Sequence, residues 1–134
     1  MTGDFGVPSA VPTPSGLLIT SENNGTRLYE YDGQQARSSI LGQVKKIAPN
    51  SHTPVVIDQS AFVVHNKLYC LALDNKLSER WVINDRAFRG FTSLMASKEQ
   101  LLALTSGCEL ILVDPVEGKI VDRLKLADRN MRTL

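Results

Sequence analysis

The stretch Leu68-Tyr69-Cys70-Leu71-Ala72-Leu73-Asp74 decides the fold, because the chain carries related stretches at 27–32 and 109–114. Each is a short apolar run that ends in an aspartate. A spacing of 42 and then 40 residues separates these aspartates, which are Asp32, Asp74 and Asp114. A period of about 40 residues with several short strands per unit is typical of a β-propeller blade. Helical solenoids have similar periods, but they need long amphipathic segments, and the sequence has none before residue 119.

Four short apolar runs separated by turn residues occur in each unit, and we predict one β-strand for each run. The strands predicted for the first unit cover 9–11, 17–21, 26–31 and a weak segment within 36–47. Those of the second unit cover 53–57, 61–65, 68–73 and 79–83. Those of the third unit cover 92–96, 100–105, 109–113 and 119–126.

Apolar residues occupy successive positions in the third strands of the second and third units, at 70–73 and 110–113. Because side chains alternate between the two faces of a strand, both faces of these sheets are predicted to be covered. Blades that pack face to face meet this requirement. We therefore predict an all-β fold, a partial β-propeller of about three four-stranded antiparallel blades. The predicted single domain covers 1–134, with repeats at 7–47, 50–90 and 91–127 and a tail at 128–134.

Two stretches resemble the closing segment of the pyrroloquinoline-quinone-type (PQQ-like) propeller repeat. They are Asp114-Pro115-Val116-Glu117-Gly118-Lys119-Ile120-Val121, and 68–74 followed by Trp81. The stretches 53–58 and 61–64 resemble the opening of that repeat, so the resemblance covers most of 7–126. It implies that Trp81 is the docking tryptophan of its repeat, with Ile40 and Asp122 at roughly matching positions.

The PQQ-like family contains quinoprotein alcohol dehydrogenases and a non-catalytic lipoprotein of bacterial outer-membrane protein assembly. The dehydrogenases have adjacent cysteines beside the quinone, whereas Cys70 and Cys108 are neither adjacent nor at equivalent repeat positions. No residue of this chain matches their calcium ligands or catalytic aspartate. The resemblance therefore favours a non-catalytic scaffold or protein-interaction module without a cofactor. The alternative is a fragment of a quinone- and calcium-dependent dehydrogenase, which would bind PQQ with calcium.

Four residues are candidates for binding a partner. His52 precedes the first strand of its unit, and the innermost strands of a propeller line the central channel. Arg86, Phe88 and Arg89 lie in the connection between the second and third units. A structural histidine and a solvated connection are the alternatives. His65 ends an apolar run beside a turn and is interpreted as a turn histidine.

The repeated aspartates are interpreted as turn residues, because an aspartate after a strand can accept hydrogen bonds from the next backbone N–H groups. Gly118 is interpreted as a turn glycine. Two histidines with no cysteine or carboxylate at ligand spacing predict no metal site. Cys70 is predicted to be a small core residue, and Cys108 to be more accessible.

Composition excludes several classes of function. The 134 residues include 15 Lys+Arg and 14 Asp+Glu, and a net charge of +1 provides no patch for nucleic acid. The longest apolar runs are too short to span a membrane. Residues 1–15 lack both the basic start and the apolar core of a signal peptide, so the sequence as given predicts a cytoplasmic protein. A fragment of an exported family member would instead come from the periplasm or cell envelope.

Three blades are too few to close a ring, since propellers typically have about four to eight. The expected partners are therefore a second copy of the chain, blades of another chain, or further blades of a longer polypeptide. A protein partner is also expected. A small closed barrel or sandwich, which would be a stable monomer, is the remaining fold hypothesis.

Overall fold

Each predicted unit forms one antiparallel sheet in the computed structural model, which describes residues 9–49 and 52–126. Sheet 1 consists of β1 (Val11–Thr13), β2 (Gly16–Ser21), β3 (Gly25–Tyr31) and β4 (Ala36–Val44). Sheet 2 consists of β5 (Val55–Ile57), β6 (Ser60–Val64), β7 (Leu68–Ala72) and β8 (Ser78–Ile83). Sheet 3 consists of β9 (Thr92–Ala96), β10 (Leu101–Thr105), β11 (Glu109–Asp114) and β12 (Lys119–Lys125).

The strands of each sheet are paired in sequence order, so every sheet is an up-and-down meander. A short 3-10 helix (Arg86–Arg89) lies in the connection between sheets 2 and 3. The predicted three four-stranded antiparallel units are confirmed. The repeat boundaries stay a prediction, and residues 7, 8, 50, 51 and 127 and the tail at 128–134 lie outside the described residues.

The first strand differs from the prediction, because it covers Val11–Thr13 rather than 9–11. Pro12 is tolerated there since β1 pairs only with β2 and is an edge strand, where a missing N–H is harmless. The Thr13 hydroxyl oxygen accepts hydrogen bonds from the backbone N–H groups of Ser15 and Gly16, at 3.1 and 3.0 Å. This turn ends β1 after Thr13.

Both faces of sheet 2 are buried, as the sequence predicted. On one face, Ala61, Val63 and Leu71 pack with Leu18 and Leu28 of sheet 1. On the other face, the alternate residues of sheet 2 pack against sheet 3 in a cluster with these buried members: Phe62, Val64, Leu68, Cys70, Leu101, Ala103, Ile111 and Val113. The core therefore consists of two layers, one between each pair of neighbouring sheets. The innermost strands β5 and β9 lie next to each other.

Every pairing between a third and a fourth strand contains a register shift, or β-bulge. In sheet 2, Trp81 pairs with Cys70, four residues before Asp74. The residue four before Asp32 is Leu28, and it pairs with Gly42. Gly42, rather than Ile40, therefore lies at the position of Trp81. The bulges hide this correspondence from a count along the sequence. In sheet 3, the residue four before Asp114 is Leu110, and it pairs with Leu124 rather than with Asp122.

Candidate functional site

The predicted binding residues lie at the end of the sheets that carries the turns between second and third strands. His52, Phe88 and Arg89 line one cavity of about 340 Å³. We call it the histidine pocket, and its lining is Ala48, Pro49, His52, His65, Asn66, Phe88, Arg89, Gly90 and Phe91. Arg86 does not line this pocket. It lines a neighbouring open cavity of about 640 Å³ that we call the arginine cleft.

His52 is held against an aromatic ring. Its imidazole lies 5.2 Å from the Phe91 ring, centroid to centroid, at an angle of 33°. Both ring nitrogens are inaccessible, and neither has a hydrogen-bond partner among the described residues. Burial lowers the pKa of His52 below its usual value of 6.5, and the neighbouring His65 lowers it further. The backbone of Gly90 opposes this shift without reaching full hydrogen-bond geometry. Burial of the ring therefore favours the neutral form of His52.

His65 lies in the turn after β6, as interpreted from the sequence, but it also lines the histidine pocket. Its Nδ1 accepts a hydrogen bond from the backbone N–H of Ala48 at 3.0 Å and lies 3.1 Å from the carbonyl oxygen of Lys46. The following residue, Asn66, has a positive φ of 63° that tightens the turn. No sequence signal links His65 to His52. The meander brings them together because this turn and the inter-sheet connections share one end of the sheets.

Phe88 is a core residue and not a surface contact. Its side chain is 0% exposed and packs in the cluster between sheets 2 and 3. The Asp85 carboxylate accepts a hydrogen bond from the N–H of Ala87 at 3.0 Å and caps the 3-10 helix. That turn points Phe88 inward and leaves Arg86 and Arg89 exposed. Of the three predicted connection residues, the two arginines alone are available to a partner.

An ion-pair network holds the same connection against sheet 3. The guanidinium of Arg123 on β12 lies 2.7 Å from the Asp85 carboxylate and 2.6 Å from the Glu109 carboxylate. The hydrogen bond from Arg123 holds the pKa of Asp85 below its usual value of 3.8, and the N–H of Ala87 lowers it further. Asp85, Glu109 and Arg123 line the arginine cleft, so these charged groups of the cleft already form ion pairs with one another.

Trp81 docks sheet 2 on sheet 3. Its Nε1 donates a hydrogen bond to the carbonyl oxygen of Pro115 at 3.0 Å, in the turn between β11 and β12. Its ring lies over Gly118 and 5.7 Å from the Phe62 ring. A Cβ built on Gly118 would come within 2.3 Å of Trp81 Cγ. Gly42 makes the corresponding approach of sheet 1 to sheet 2, because a Cβ there would lie 2.6 Å from the backbone of Lys76.

The repeated aspartates lie in turns, and two of them bind the backbone there. The Asp32 carboxylate accepts hydrogen bonds from the N–H groups of Gln34 and Gln35. The Asp114 carboxylate accepts them from the two corresponding N–H groups, at 2.9 and 3.0 Å. These bonds lower the pKa of both carboxyl groups. Asp74 differs, because its turn places Lys76 in the left-handed region and its carboxylate accepts from the Arg80 guanidinium at 3.0 Å.

Within 9–49 and 52–126, no group of three or more His, Cys, Asp or Glu side chains is placed to hold a metal ion. In the same ranges, no helix has the length and apolar composition needed to cross a membrane.

Sheet 3 presents an apolar face that no other sheet covers among the described residues. Leu101, Ala103, Ile111 and Val113 point into the core, so the alternate residues of β10 and β11 point away from it. Cross-strand pairing extends this second face to β9 and β12. We call it the sheet 3 outer face, and its apolar residues are Met95, Leu102, Leu104, Leu110, Leu112 and Leu124; the same pairing adds Ser93 opposite Leu104 and Asp122 opposite Leu112. Met95 is 51%, Leu104 37% and Leu124 57% exposed.

Comparison with known proteins identifies the fold and leaves the family open. No protein-family model matches the chain, and no curated protein does. The crystal structure of BamB from Moraxella catarrhalis matches with a TM-score of 0.63 at 17% sequence identity. The match covers 94% of this chain and 37% of that chain. This likeness confirms the predicted partial β-propeller fold. The PQQ-like repeat itself has no support from a family model.

Proposed function

We propose that this chain is a non-catalytic β-propeller segment that acts in protein binding, together with further blades that complete its ring. The observation that carries the proposal is the sheet 3 outer face. Leu104 pairs with Leu110 on this face as Phe62 pairs with Cys70 in sheet 2, and Phe62 and Cys70 are completely buried against sheet 3. Sheet 3 therefore offers to a further blade the surface that sheet 2 offers to sheet 3.

Chain length supports a larger ring. The chain spans 37% of the length of the BamB chain that it matches, and it contributes three sheets. A chain of that length has room for about eight such sheets, which is within the range of known propellers. Additional blades from another chain, from a longer polypeptide or from a second copy would each extend the apolar layers between sheets.

The outer edge of sheet 3 favours face-to-face packing over strand addition. Strand β12 is an edge strand and carries Lys119, Asp122, Arg123 and Lys125. Charged side chains along an edge strand discourage pairing with a strand of another protein. The face beside this edge is mostly apolar, and Asp122, opposite Leu112, is the charged residue that strand pairing places on it among the described residues, so a further blade is expected to bind there through its own face.

Light scattering coupled to size exclusion tests the proposal. We compare the chain with the double variant Leu104→Glu/Leu124→Glu, and with Val116→Glu as a control. Val116 is 85% exposed, but it lies in the turn between β11 and β12. Circular dichroism checks that the variants retain the sheet content.

Each outcome of this test bears on the proposal. Assemblies above the monomer mass of 14.7 kDa that only the double variant loses would support closure by copies of the chain. A monomer whose outer face binds an apolar dye, with binding lost only in the double variant, would support blades supplied by another polypeptide. A stable monomer without dye binding would refute the proposal. Dye reduction after addition of PQQ and calcium would support the dehydrogenase alternative instead.

A further inference from the structure

We propose that the outer edge of β4 binds an extended segment of another polypeptide, which adds to sheet 1 as a fifth, antiparallel strand. The segment has alternating apolar residues and acidic residues at its N-terminal end. This inference rests on the proposed function in protein binding, for which it names a second surface and a class of partner. The β4 edge belongs to sheet 1 and shares no residue with the sheet 3 outer face.

Strand β4 is the longest strand in the described part of the chain. It covers nine residues, Ala36–Val44, and it pairs with β3 alone. An edge strand of this kind presents a row of backbone N–H and C=O groups to which another strand can bind. Apolar side chains are exposed on it, since Ile40 is 45% and Leu41 40% exposed. The edge therefore offers both main-chain hydrogen bonds and apolar contacts.

The other edge strands are better protected. Strand β12 has four charged residues in seven positions, and β8 has two in six, whereas β4 has Arg37 and no charge at 38–44. The inner edge strands β1, β5 and β9 have only three, three and five residues. Charges and short length both discourage strand addition. Register shifts also do so, but they occur in β8 and β12 as well as in β4. Among the described edges, β4 is thus the one most open to a new strand.

Charge selects the class of partner. Lys45 and Lys46 directly follow β4 and are exposed, and 36–46 contains no acidic residue. All pairs within sheet 1 are antiparallel, so we assign the same direction to the added strand. Its N-terminal end then lies beside the C-terminal end of β4. Acidic residues at that end would lie near Lys45 and Lys46, and opposite charges on neighbouring strands are stabilising.

The same charges disfavour a second copy of this chain as the occupant. Two antiparallel β4 strands would place Lys45 and Lys46 of each copy beside the start of β4 in the other copy, which contains Arg37. Like charges on opposed strands are destabilising. A segment that carries acidic residues is therefore the better fit to this edge.

A model peptide tests the edge by nuclear magnetic resonance. The probe is an acetylated peptide of two glutamates followed by alternating valine and threonine, added to the ¹⁵N-labelled chain. We expect saturable shifts of the amide signals of 38–44 at a Kd of about 1 mM or below. Hydrogen exchange of those β4 amides that point away from β3 should slow, because the peptide satisfies them. Absence of any saturable shift would overturn the proposal.

Modified peptides test backbone pairing and direction. Successive N–H groups of a strand point to opposite sides, so N-methylation of the valines blocks one side and N-methylation of the threonines blocks the other. One of these two peptides should lose binding and the other should keep it. Retained binding by both would overturn strand addition. A peptide with its glutamates at the C-terminal end should bind about threefold more weakly, and equal binding would overturn the antiparallel assignment.

Matched variants of the chain locate the site. Leu41→Glu adds a charge to the β4 edge, and Val121→Glu adds the same charge to β12, where Val121 is 59% exposed. We expect Leu41→Glu to weaken peptide binding at least tenfold and Val121→Glu to leave it unchanged. Circular dichroism checks the sheet content of both. Equal weakening in the two variants would refute the site.

Two further measurements separate this proposal from blade assembly. The double variant Leu104→Glu/Leu124→Glu alters the sheet 3 outer face and should bind the peptide with unchanged affinity. Loss of peptide binding with normal behaviour of that face would therefore refute the β4 edge alone. A dimer of the chain that Leu41→Glu abolishes would show that a second copy occupies the edge, and it would overturn the assignment of an acidic partner.

Discussion

Replacement of Gly118 by alanine tests how neighbouring blades are held together. Gly118 has a φ of 71°, and a Cβ there would overlap the Trp81 ring. Gly33 provides the matched control, because it has a φ of 91° and a Cβ there would meet nothing within 4 Å. Gly33→Ala therefore introduces the backbone strain alone, and Gly118→Ala introduces the strain together with displacement of Trp81.

The expected magnitudes follow from the contacts that Trp81 makes. Left-handed backbone at a non-glycine residue costs about 1 kcal/mol, so Gly33→Ala should lower the free energy of unfolding by that amount. Displacement of Trp81 additionally removes its hydrogen bond to Pro115, about 1 kcal/mol, and its ring contact with Phe62, about 1 kcal/mol. Partial exposure of the indole adds about 1 kcal/mol. Gly118→Ala should therefore lower the free energy of unfolding by about 4 kcal/mol.

Equilibrium unfolding in urea, followed by far-ultraviolet circular dichroism, measures both losses. Repeating Gly118→Ala in a Trp81→Gly background removes every Trp81 atom that the new Cβ would meet. The cost in that background should fall to about 1 kcal/mol, the cost of backbone strain alone. Equal losses for Gly118→Ala and Gly33→Ala would refute the docking role of Trp81. An unchanged cost of Gly118→Ala in the Trp81→Gly background would refute it as well.

Two further predictions concern the ion-pair network and the thiols. Arg123→Gln should lower the free energy of unfolding by about 1 kcal/mol or less at pH 7, since the side chain is 38% exposed and its ion pairs are screened, whereas Lys125→Gln should change it little. The pKa of Asp85 is lowered in the folded state, so the stabilisation by its ion pair with Arg123 is fully present above the ordinary carboxyl pKa of 3.8. This stabilisation is lost as the pH falls through the lowered pKa of Asp85. If the wild-type chain stayed more stable than Arg123→Gln below that pKa, the result would contradict the account. In a thiol-reagent assay, Cys108 should react in the folded protein and Cys70 only on unfolding, because Cys70 is 0% exposed and burial raises the pKa of its thiol. Cys108→Ser should abolish the fast phase, and a fast phase that survives this substitution would place Cys70 at the surface.

Much of the fold could be read from local pattern. Alternation of apolar residues and the spacing of Asp32, Asp74 and Asp114 predicted three units of four strands, and the described strands follow those predictions closely. The exceptions are positions where pairing, and not local composition, sets the structure. Strand β1 begins later than predicted because its register is set by β2, and Gly42 takes the place predicted for Ile40 because a bulge shifts the pairing of β3 with β4.

The candidate site was only partly predictable. The sequence offered His52 and Arg89 as candidates from their place in the connections, and both line the histidine pocket. It could not identify His65 as a third member, because proximity between two separate turns depends on how two sheets are oriented. It also could not show that Phe88 is buried while Arg86 and Arg89 are exposed, because the capped 3-10 helix sets the direction of each side chain.

The sequence by itself determined the strands, their grouping into repeats and the apolar character of both sheet faces, because these properties depend on residues that are near each other along the chain. The tertiary structure alone decided which apolar faces are buried and which remain open. Leu101 and Leu104 are both leucines of one strand, yet one is completely buried and the other 37% exposed. The difference arises because sheet 2 covers one face of sheet 3, and alternate side chains of a strand point to opposite faces.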